Sequence, residues 1–162
     1  HGAQYTAYLA GELSRNTANA VDICGSAVFA EDEVFYLDGY ETQLCNLLSG
    51  EMKRISLVLD GRAAAIQLKC APRLSVRLPE SPEEPPVIRV RAAVRCDEAD
   101  AGKYVEALRQ DVASLLIKCQ QWGADPVGFC ERARMRVWTL MDWEALDWPE
   151  LYRKAVFEID IR

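Results

Sequence analysis

The chain has 162 residues, which is enough for one domain or for one domain with a small appendage. Its composition, 50% hydrophobic and 27% charged, is that of an ordinary globular protein, and its net charge of −6 argues against a dedicated nucleic-acid binder. No apolar run approaches the ~18 residues that span a bilayer, and no signal-peptide pattern opens the chain. We therefore expect residues 1–162 to form a single domain.

The first fifty residues predict three strands and a short helix. Strands are expected over residues 4–12, 20–30 and 34–37, separated by polar turns. Tyr40, Leu44, Leu47 and Leu48 follow at helical spacing, and Gly50 ends this helix.

The clearest strand pattern lies between residues 54 and 96. Apolar residues alternate before Asp60-Gly61, a dipeptide typical of a two-residue hairpin turn. The even positions 64–78 are almost all apolar, which predicts one long strand that is bent, or at a sheet edge, at Pro72. Residues 79–86 hold four prolines and three glutamates and predict a stiff acidic loop. Residues 88–96 repeat the alternation.

A long amphipathic helix is predicted before Gly123. Its apolar positions share one helical face: Val105, Leu108, Val112, Leu115, Leu116 and Cys119. The acidic residues 97–100 are candidate N-caps, and Asp125-Pro126 predicts the N-cap and first position of a following helix that carries Phe129, Ala133, Val137 and Leu140. Residues 154–162 predict a closing strand. The fold class is therefore α+β: an antiparallel sheet with helices packed on one face, including one long helix near residues 101–122.

The sequence offers little for catalysis. Its one histidine is the first residue, so no Ser-His or Cys-His pair can form within the domain. Asp125 and Glu131 form a conceivable acid/base pair, but helix capping and the helix dipole explain both, and we favour the structural interpretation. The glycines match no nucleotide-binding motif, and the six cysteines include no C-x-x-C spacing. We assign no catalytic, cofactor-binding or metal-binding residue.

Two residue groups allow both a structural and a functional interpretation. Trp138, Trp143, Trp148 and Tyr152 would line a ligand pocket or close one end of the core, and we favour the core. Basic residues on the wet side of two strands would form a surface for an acidic partner or for anionic headgroups: Lys69, Arg73, Arg77, Arg89, Arg91 and Arg95. The favoured alternative is that Glu158 and Asp160 on a neighbouring strand pair with them.

Two motifs resemble the Ger(x)C family of spore germination proteins. The stretch Gly25-Ser26-Ala27-Val28-Phe29, with Asp32, Val34, Leu37 and then Glu41-Thr42, is similar to the family's G-x-A-V-F-x-x-D-x-L segment and following E-T. The stretch Asp125-Pro126-Val127-Gly128-Phe129-Cys130-Glu131 resembles its D-x-x-G-F-x-E signature, although a cysteine stands at position 130 where glycine is common. The resemblance extends from about Tyr5 to Arg162.

The resemblance implies the C-terminal domain of a germinant-receptor C subunit, without enzymatic activity or cofactor. Such a subunit is a lipoprotein at the outer face of the spore inner membrane, held by an N-terminal lipid anchor that would lie outside this chain. Its implied partners are the integral-membrane A and B subunits, with no nucleic acid. The alternative is a domain that binds the germinant directly, with the tryptophan-rich region as its pocket. An extracytoplasmic location permits disulfides, and Cys70 with Cys96 is a candidate pair.

Overall fold

The computed structural model of the chain describes residues 5–12, 21–30, 33–81 and 84–162, with side chains described from Cys24 onward. Within these ranges the chain forms nine strands and five helices. The strands are β1 (Tyr5–Glu12), β2 (Val21–Ala30), β3 (Glu33–Asp38), β4 (Arg54–Leu59), β5 (Arg62–Leu68), β6 (Arg73–Arg77), β7 (Val87–Ala92), β8 (Val94–Cys96) and β9 (Val156–Ile161). The helices are α1 (Gly39–Ser49), α2 (Ala101–Trp122), α3 (Phe129–Arg134), α4 (Leu140–Ala145) and α5 (Trp148–Arg153).

The strands lie in three sheets of three, ordered β1-β2-β3, β4-β5-β8 and β6-β7-β9. The strand pairs are antiparallel except β7–β9, which is parallel. A parallel pair needs a long crossover, and here the chain passes through the helices α2 to α5 before it returns as β9. The predicted α+β class with a long helix near residues 101–122 is confirmed. The strands are divided among three sheets instead of forming the one sheet that we expected.

The division arises where two predicted long strands are each interrupted. The segment 64–78 is split between β5 and β6, and the segment 88–96 is split between β7 and β8. Pro72 has no N–H to donate to a ladder. Just before it, the N–H of Lys69 donates to the carbonyl of Ala93, the residue at which the other segment is interrupted, at 2.8 Å. The expectation of one bent strand through Pro72 was therefore wrong, because β5 and β6 belong to different sheets.

The predicted turn at Asp60-Gly61 is confirmed. It joins β4 to β5, with Leu59 directly opposite Arg62. Asp60 and Gly61 have φ values of 51° and 74°, and the tight hairpin turn whose twist matches that of the strands requires positive φ at both positions.

The long helix α2 is the element against which most others pack. It contacts β4, β5, β8, β9, α1 and α5. Its buried side chains follow the predicted stripe, except that Tyr104 is buried and Val105 is only half-buried: Tyr104, Leu108, Val112, Leu115, Leu116 and Cys119. The helix ends as predicted at Gly123, whose φ of 66° lets its N–H bond to the carbonyls of Cys119 and Gln120. Burial of this face contributes on the order of 10 kcal/mol before conformational entropy is subtracted.

The start of α2 differs from the prediction. Asp100 occupies the N-cap position, but its side chain makes no capping hydrogen bond and pairs instead with Lys103 at 3.4 Å. Asp97 is engaged by Arg95 at 2.7 Å. The acidic residues therefore supply favourable charge near the helix N-terminus rather than a side-chain cap.

In the first motif, which spans β2 to α1, the backbone of β2 lies very close to the backbone of β3. Gly25 on β2 lies opposite Asp38 on β3. A Cβ at Gly25 would stand 2.4 Å from the carbonyl oxygen of Leu37, closer than any real Cβ contact. Glycine at this position is therefore a steric requirement of the β2–β3 pairing.

The adjacent residues form a buried polar contact between β2 and α1. The hydroxyls of Ser26 and Thr42 are 2.9 Å apart, and both residues are buried. Thr42 also donates to the carbonyl of Asp38 at 2.7 Å. Asp38 caps α1 by accepting from the N–H of Glu41, and the Glu41 side chain accepts from the N–H of Asp38 in return. The motif therefore fixes the start of α1 on the sheet.

Glu41 also ties α1 to α2. Its carboxylate accepts hydrogen bonds from Lys118 Nζ, at 2.7 Å to Oε2. The same ammonium lies 5.0 Å above the Trp122 ring, which stacks on Phe35 of β3 at 4.7 Å between centroids. One cation thus joins the capping residue of α1 to an aromatic pair that links β3 with the end of α2.

The helical region after Gly123 is more broken than predicted. A single helix carrying Phe129 through Leu140 was expected, but α3 ends at Arg134 and α4 begins only at Leu140. Phe129 and Ala133 are buried, whereas Val137 is half-buried and Leu140 is exposed. The apolar spacing of the sequence continues past the end of α3, although several of those side chains do not face the core. The spacing alone therefore could not show where the helix ends.

Replacement of Gly25 by alanine tests the steric requirement. We expect Gly25→Ala to lower the free energy of unfolding by about 1–3 kcal/mol, because backbone must move to admit the methyl group. The matched control is Gly102→Ala in α2, where nothing lies within 4 Å of the added Cβ. That change should stabilise the protein by up to about 1 kcal/mol. Urea unfolding of both variants is the measurement, and equal effects would contradict the steric account.

Candidate interaction surface

The outer face of the β6–β7–β9 sheet carries four of the six basic residues that the sequence predicts on one surface. Arginines on β6 and β7 alternate with buried apolar residues and therefore point away from the core. We call this surface the arginine face: Arg73, Arg77, Arg89 and Arg91. Arg73 lies directly opposite Arg91, a position in which like charges repel each other.

β9 adds two carboxylates to the arginine face. Glu158 lies beside Arg89 and Asp160 beside Arg91. Arg89 Nε donates to Glu158 Oε2 at 2.5 Å, and this hydrogen bond raises the pKa of Arg89 and lowers the pKa of Glu158. The prediction that the β9 carboxylates pair across the sheet is confirmed for Glu158. Asp160 lies 3.7 Å from Arg162 instead.

Three of the four arginines keep their charge available. Arg73, Arg77 and Arg91 are exposed, and none of them forms an ion pair with another residue in the described part of the chain. Their guanidinium groups can each bind a carboxylate or phosphate through two parallel hydrogen bonds. On a chain of net charge −6, this face is a local basic surface suited to an acidic partner.

Lys69 and Arg95 do not belong to the arginine face. Lys69 follows β5, and Arg95 lies on β8, in the other central sheet. Arg95 pairs with Asp97. The prediction that all six basic residues share one side was wrong for these two. The chain passes from one sheet to another between Lys69 and Arg73, and again between Arg91 and Arg95.

The second motif forms a turn organised by a buried carboxylate. Asp125 accepts from the backbone N–H of Gly128 at 3.0 Å and of Cys130 at 2.6 Å. Gly128, with φ of 83°, is the N-cap residue of α3. Our placement of Asp125 as the N-cap and Pro126 as the first helical residue was wrong by three positions, although the capping role of the carboxylate stands.

Asp125 and Glu131, the conceivable acid/base pair, lie in different environments. Asp125 is buried, whereas Glu131 is exposed on α3. Burial raises the pKa of Asp125, against the opposing effect of hydrogen bonds from the backbone of Phe129, Cys130 and Gly128. The carboxylate of Asp125 is therefore occupied by the turn that it holds, and Glu131 places a negative charge in the first turn of α3.

The aromatic residues are divided between the core and the surface. Trp148 and Tyr152 are buried, with ring centroids 5.9 Å apart, and Trp143 packs on Trp148 at 6.3 Å. Phe129 of the second motif lies 6.3 Å from Tyr152. The core interpretation holds for these residues. Trp138 is 98% exposed, so the prediction that it joins them was wrong.

The cysteines do not form the pair Cys70–Cys96. Cys96 lies opposite Ile66 in the β5–β8 ladder, whereas Cys70 is exposed after the end of β5, and both thiols are free. Cys45 on α1 and Cys119 on α2 are buried. Burial raises the pKa of Cys45 to about 12 and raises that of Cys119 as well, so both thiols stay protonated at neutral pH and are poor nucleophiles.

Sequence reasoning missed one exposed segment. Met135, Trp138, Leu140 and Met141 are all mostly exposed, and arginines precede and interrupt them. The signal was the interleaving of arginine with large apolar residues in the run from Arg132 to Met141, which we had assigned to an amphipathic helix. Across residues 5–12, 21–30, 33–81 and 84–162, no helix is long and apolar enough to cross a bilayer.

Comparison with known proteins identifies the fold. No protein-family profile matches the chain, and no curated protein matches it in sequence. A solved structure does match: the crystal structure of the GerBC protein, with a TM-score of 0.72 at 16% sequence identity. The match covers 99% of this chain and 55% of GerBC, so the chain spans about half the length of that protein. The chain therefore has the fold of GerBC, and the Ger(x)C-like fold expected from the two motifs is confirmed.

The buried carboxylate of the second motif gives a pH-dependent prediction. We expect the stability advantage of the wild type over Asp125→Asn to be greatest in acid, where it is about 1–3 kcal/mol from the lost backbone hydrogen bond. Because folding raises the pKa of Asp125, this advantage is complete below the unfolded pKa of about 3.9 and shrinks as the pH rises through the folded pKa.

Unfolding by urea at a series of pH values measures this advantage. An advantage that grows with pH would mean that the backbone hydrogen bonds, rather than burial, set the pKa of Asp125. Glu131→Gln, an exposed neighbour in the same motif, is the control and should change stability by less than about 0.5 kcal/mol at neutral pH.

Proposed function

We propose that this chain is a non-catalytic interaction domain of a membrane-anchored subunit of a nutrient germinant receptor, and that it takes part in triggering spore germination. The observation that carries the proposal is the fold shared with GerBC along 99% of the chain. The two Ger(x)C-like motifs support it independently, since they were recognised from the residues alone. The chain spans 55% of GerBC, and we propose from the resemblance of its second motif and closing strand to the Ger(x)C family that it corresponds to the C-terminal domain of the whole protein.

The proposed setting is the extracytoplasmic face of the spore inner membrane. There the whole protein would be held by an N-terminal lipid anchor outside this chain and would work with the integral-membrane A and B subunits. The chemistry of the domain fits a role in binding rather than catalysis. Its two motifs supply packing, capping and a buried hydroxyl pair, and its arginine face presents accessible charge outside them.

The aromatic residues give less support to a direct germinant sensor. Trp148 and Tyr152 pack into the core against Phe129 and Phe157, so their rings are occupied by each other. Titration of the chain with amino acids or sugars, followed by tryptophan fluorescence, separates the two functions. A saturable change with one nutrient would favour the sensor over the interaction domain.

Deletion of the gene tests the proposed function. In the spore-forming source organism, loss of the gene should abolish or strongly slow germination in response to at least one nutrient, while vegetative growth and spore yield stay unchanged. The loss of optical density of spore suspensions is the measurement, and the wild-type gene supplied in trans is the control. Normal germination of the mutant with every nutrient that triggers the parent would overturn the proposal.

Charge reversal tests the arginine face as the partner surface. Arg73→Glu combined with Arg91→Glu should weaken association with an acidic partner by about tenfold or more at low salt, with a smaller loss at high salt, because screening reduces the original attraction. Cross-linking of the full lipoprotein in spore membranes measures the association.

The matched control is Lys53→Glu combined with Arg62→Glu. It makes the same change in net charge at exposed positions beside the β4–β5 sheet, and should leave the cross-links intact. If both double variants lose the cross-links equally, net charge rather than the arginine face governs the association.

A further inference from the structure

The segment from the end of α3 into the first turn of α4 presents large apolar side chains to solvent. Trp138 is 98% exposed, Met141 80%, Met135 74% and Leu140 59%. They lie within residues 135–141, and we call this segment the apolar tip. Large apolar side chains exposed singly are ordinary in folded proteins, but four of them in seven consecutive residues mark an interaction site.

Capped ends of two short helices define the apolar tip. α3 closes at Met135, whose N–H bonds to the carbonyls of Ala133 and Glu131. The Thr139 side chain then accepts from the N–H of Asp142 and starts α4, a helix with no buried residue. Only Phe129 and Ala133 of α3 are buried. The tip is therefore a capped turn and the first turn of α4, between α3, which packs on β6, and Trp143, which packs on Trp148.

Cations surround the apolar tip. Arg132, Arg134 and Arg136 are exposed, and none of them forms an ion pair with another residue of the chain as far as it is described. Of the nearby acids, Asp142 accepts from the hydroxyl of Thr139 at 2.7 Å, while Glu131 and Glu144 are exposed on the flanking helices. From residue 131 to residue 141 the segment has three arginines and one glutamate, on a chain of net charge −6.

We propose that the apolar tip docks on an anionic lipid surface. Tryptophan, leucine and methionine favour the zone between headgroups and acyl chains, and arginines attract anionic lipids within a Debye length of that surface. Arg136 lies between Met135 and Trp138 in the chain, so apolar and cationic groups reach the same short turn. This suits a bilayer, whose anionic and apolar layers are a few ångströms apart. The long arginine stems can keep their charged ends at headgroup level while the tip enters.

Lipid docking by the apolar tip does not depend on the proposed function. It requires only the exposed residues of this chain, and its residues differ from those of the arginine face on the neighbouring β6–β7–β9 sheet, whose strand β6 contacts α3. Within a membrane-anchored subunit it would add a second membrane contact and would fix which side of the domain faces the bilayer.

Sedimentation with lipid vesicles tests lipid docking with the chain as it is. We expect the 162-residue protein to bind vesicles that contain phosphatidylglycerol at low salt, and to bind pure phosphatidylcholine vesicles weakly. Trp138→Ala combined with Met141→Ala should reduce binding to the anionic vesicles about tenfold or more. Arg134→Gln combined with Arg136→Gln should reduce both the binding and its dependence on salt.

The matched control is Tyr36→Ala combined with Val58→Ala, which removes exposed apolar side chains from β3 and β4. It should bind vesicles as the wild type does, and unchanged thermal unfolding of the two tip variants would show that they stay folded. Absence of binding to anionic vesicles at low salt, or equal binding by the Trp138→Ala, Met141→Ala variant, overturns the proposal. A chain that ignores vesicles but self-associates through Trp138 would assign the tip to a protein contact and also overturn it.

Discussion

The burial of one face of α2 is the constraint on which the other elements depend. Leu108, Val112 and Leu116 on this face are completely inaccessible to solvent, and strands of two sheets and two further helices pack against the helix. Apolar residues of all three sheets join those of α2 in one core cluster. The interruptions at Pro72 and Ala93 divide two long alternating patterns between two sheets. Strands of both sheets then contact the helix.

The residues that mark the motifs are structural in their chemistry. Gly25 is required because Leu37 leaves no room for a side chain, and Asp125 is required because Gly128 and Cys130 of one turn give their N–H groups to its carboxylate. Ser26 and Thr42 satisfy each other where neither could meet water. A motif of this kind identifies a fold and does not reveal where partners bind. The candidate partner surfaces, the arginine face and the apolar tip, lie outside both motifs.

The two candidate surfaces differ in how their charges are held. On the arginine face the parallel return of β9 brings Glu158 beside Arg89, which neutralises one cation and leaves three others. Around the apolar tip the arginines are exposed and form no ion pair among the described residues, and exposed acids lie beside them on the short helices. The first surface is thus a rigid sheet with a fixed pattern of charges, and the second combines charge with exposed apolar area. These properties favour different partners, an acidic protein surface and an anionic bilayer.

The sequence by itself determined the α+β class, the long helix and its buried stripe, the Asp60-Gly61 hairpin and the Ger(x)C-like fold. Each of these depends on local periodicity, on the conformational freedom of glycine, or on residues close together in the chain. Tertiary structure alone decided the division into three sheets, the burial of Asp125 and the exposure of Trp138. It also decided that Cys70 does not meet Cys96 and that Lys69 and Arg95 leave the arginine face. The physical reason is that alternation tells which side of a strand is apolar but not which strand lies beside it, and an apolar residue carries the same pattern whether or not something covers it.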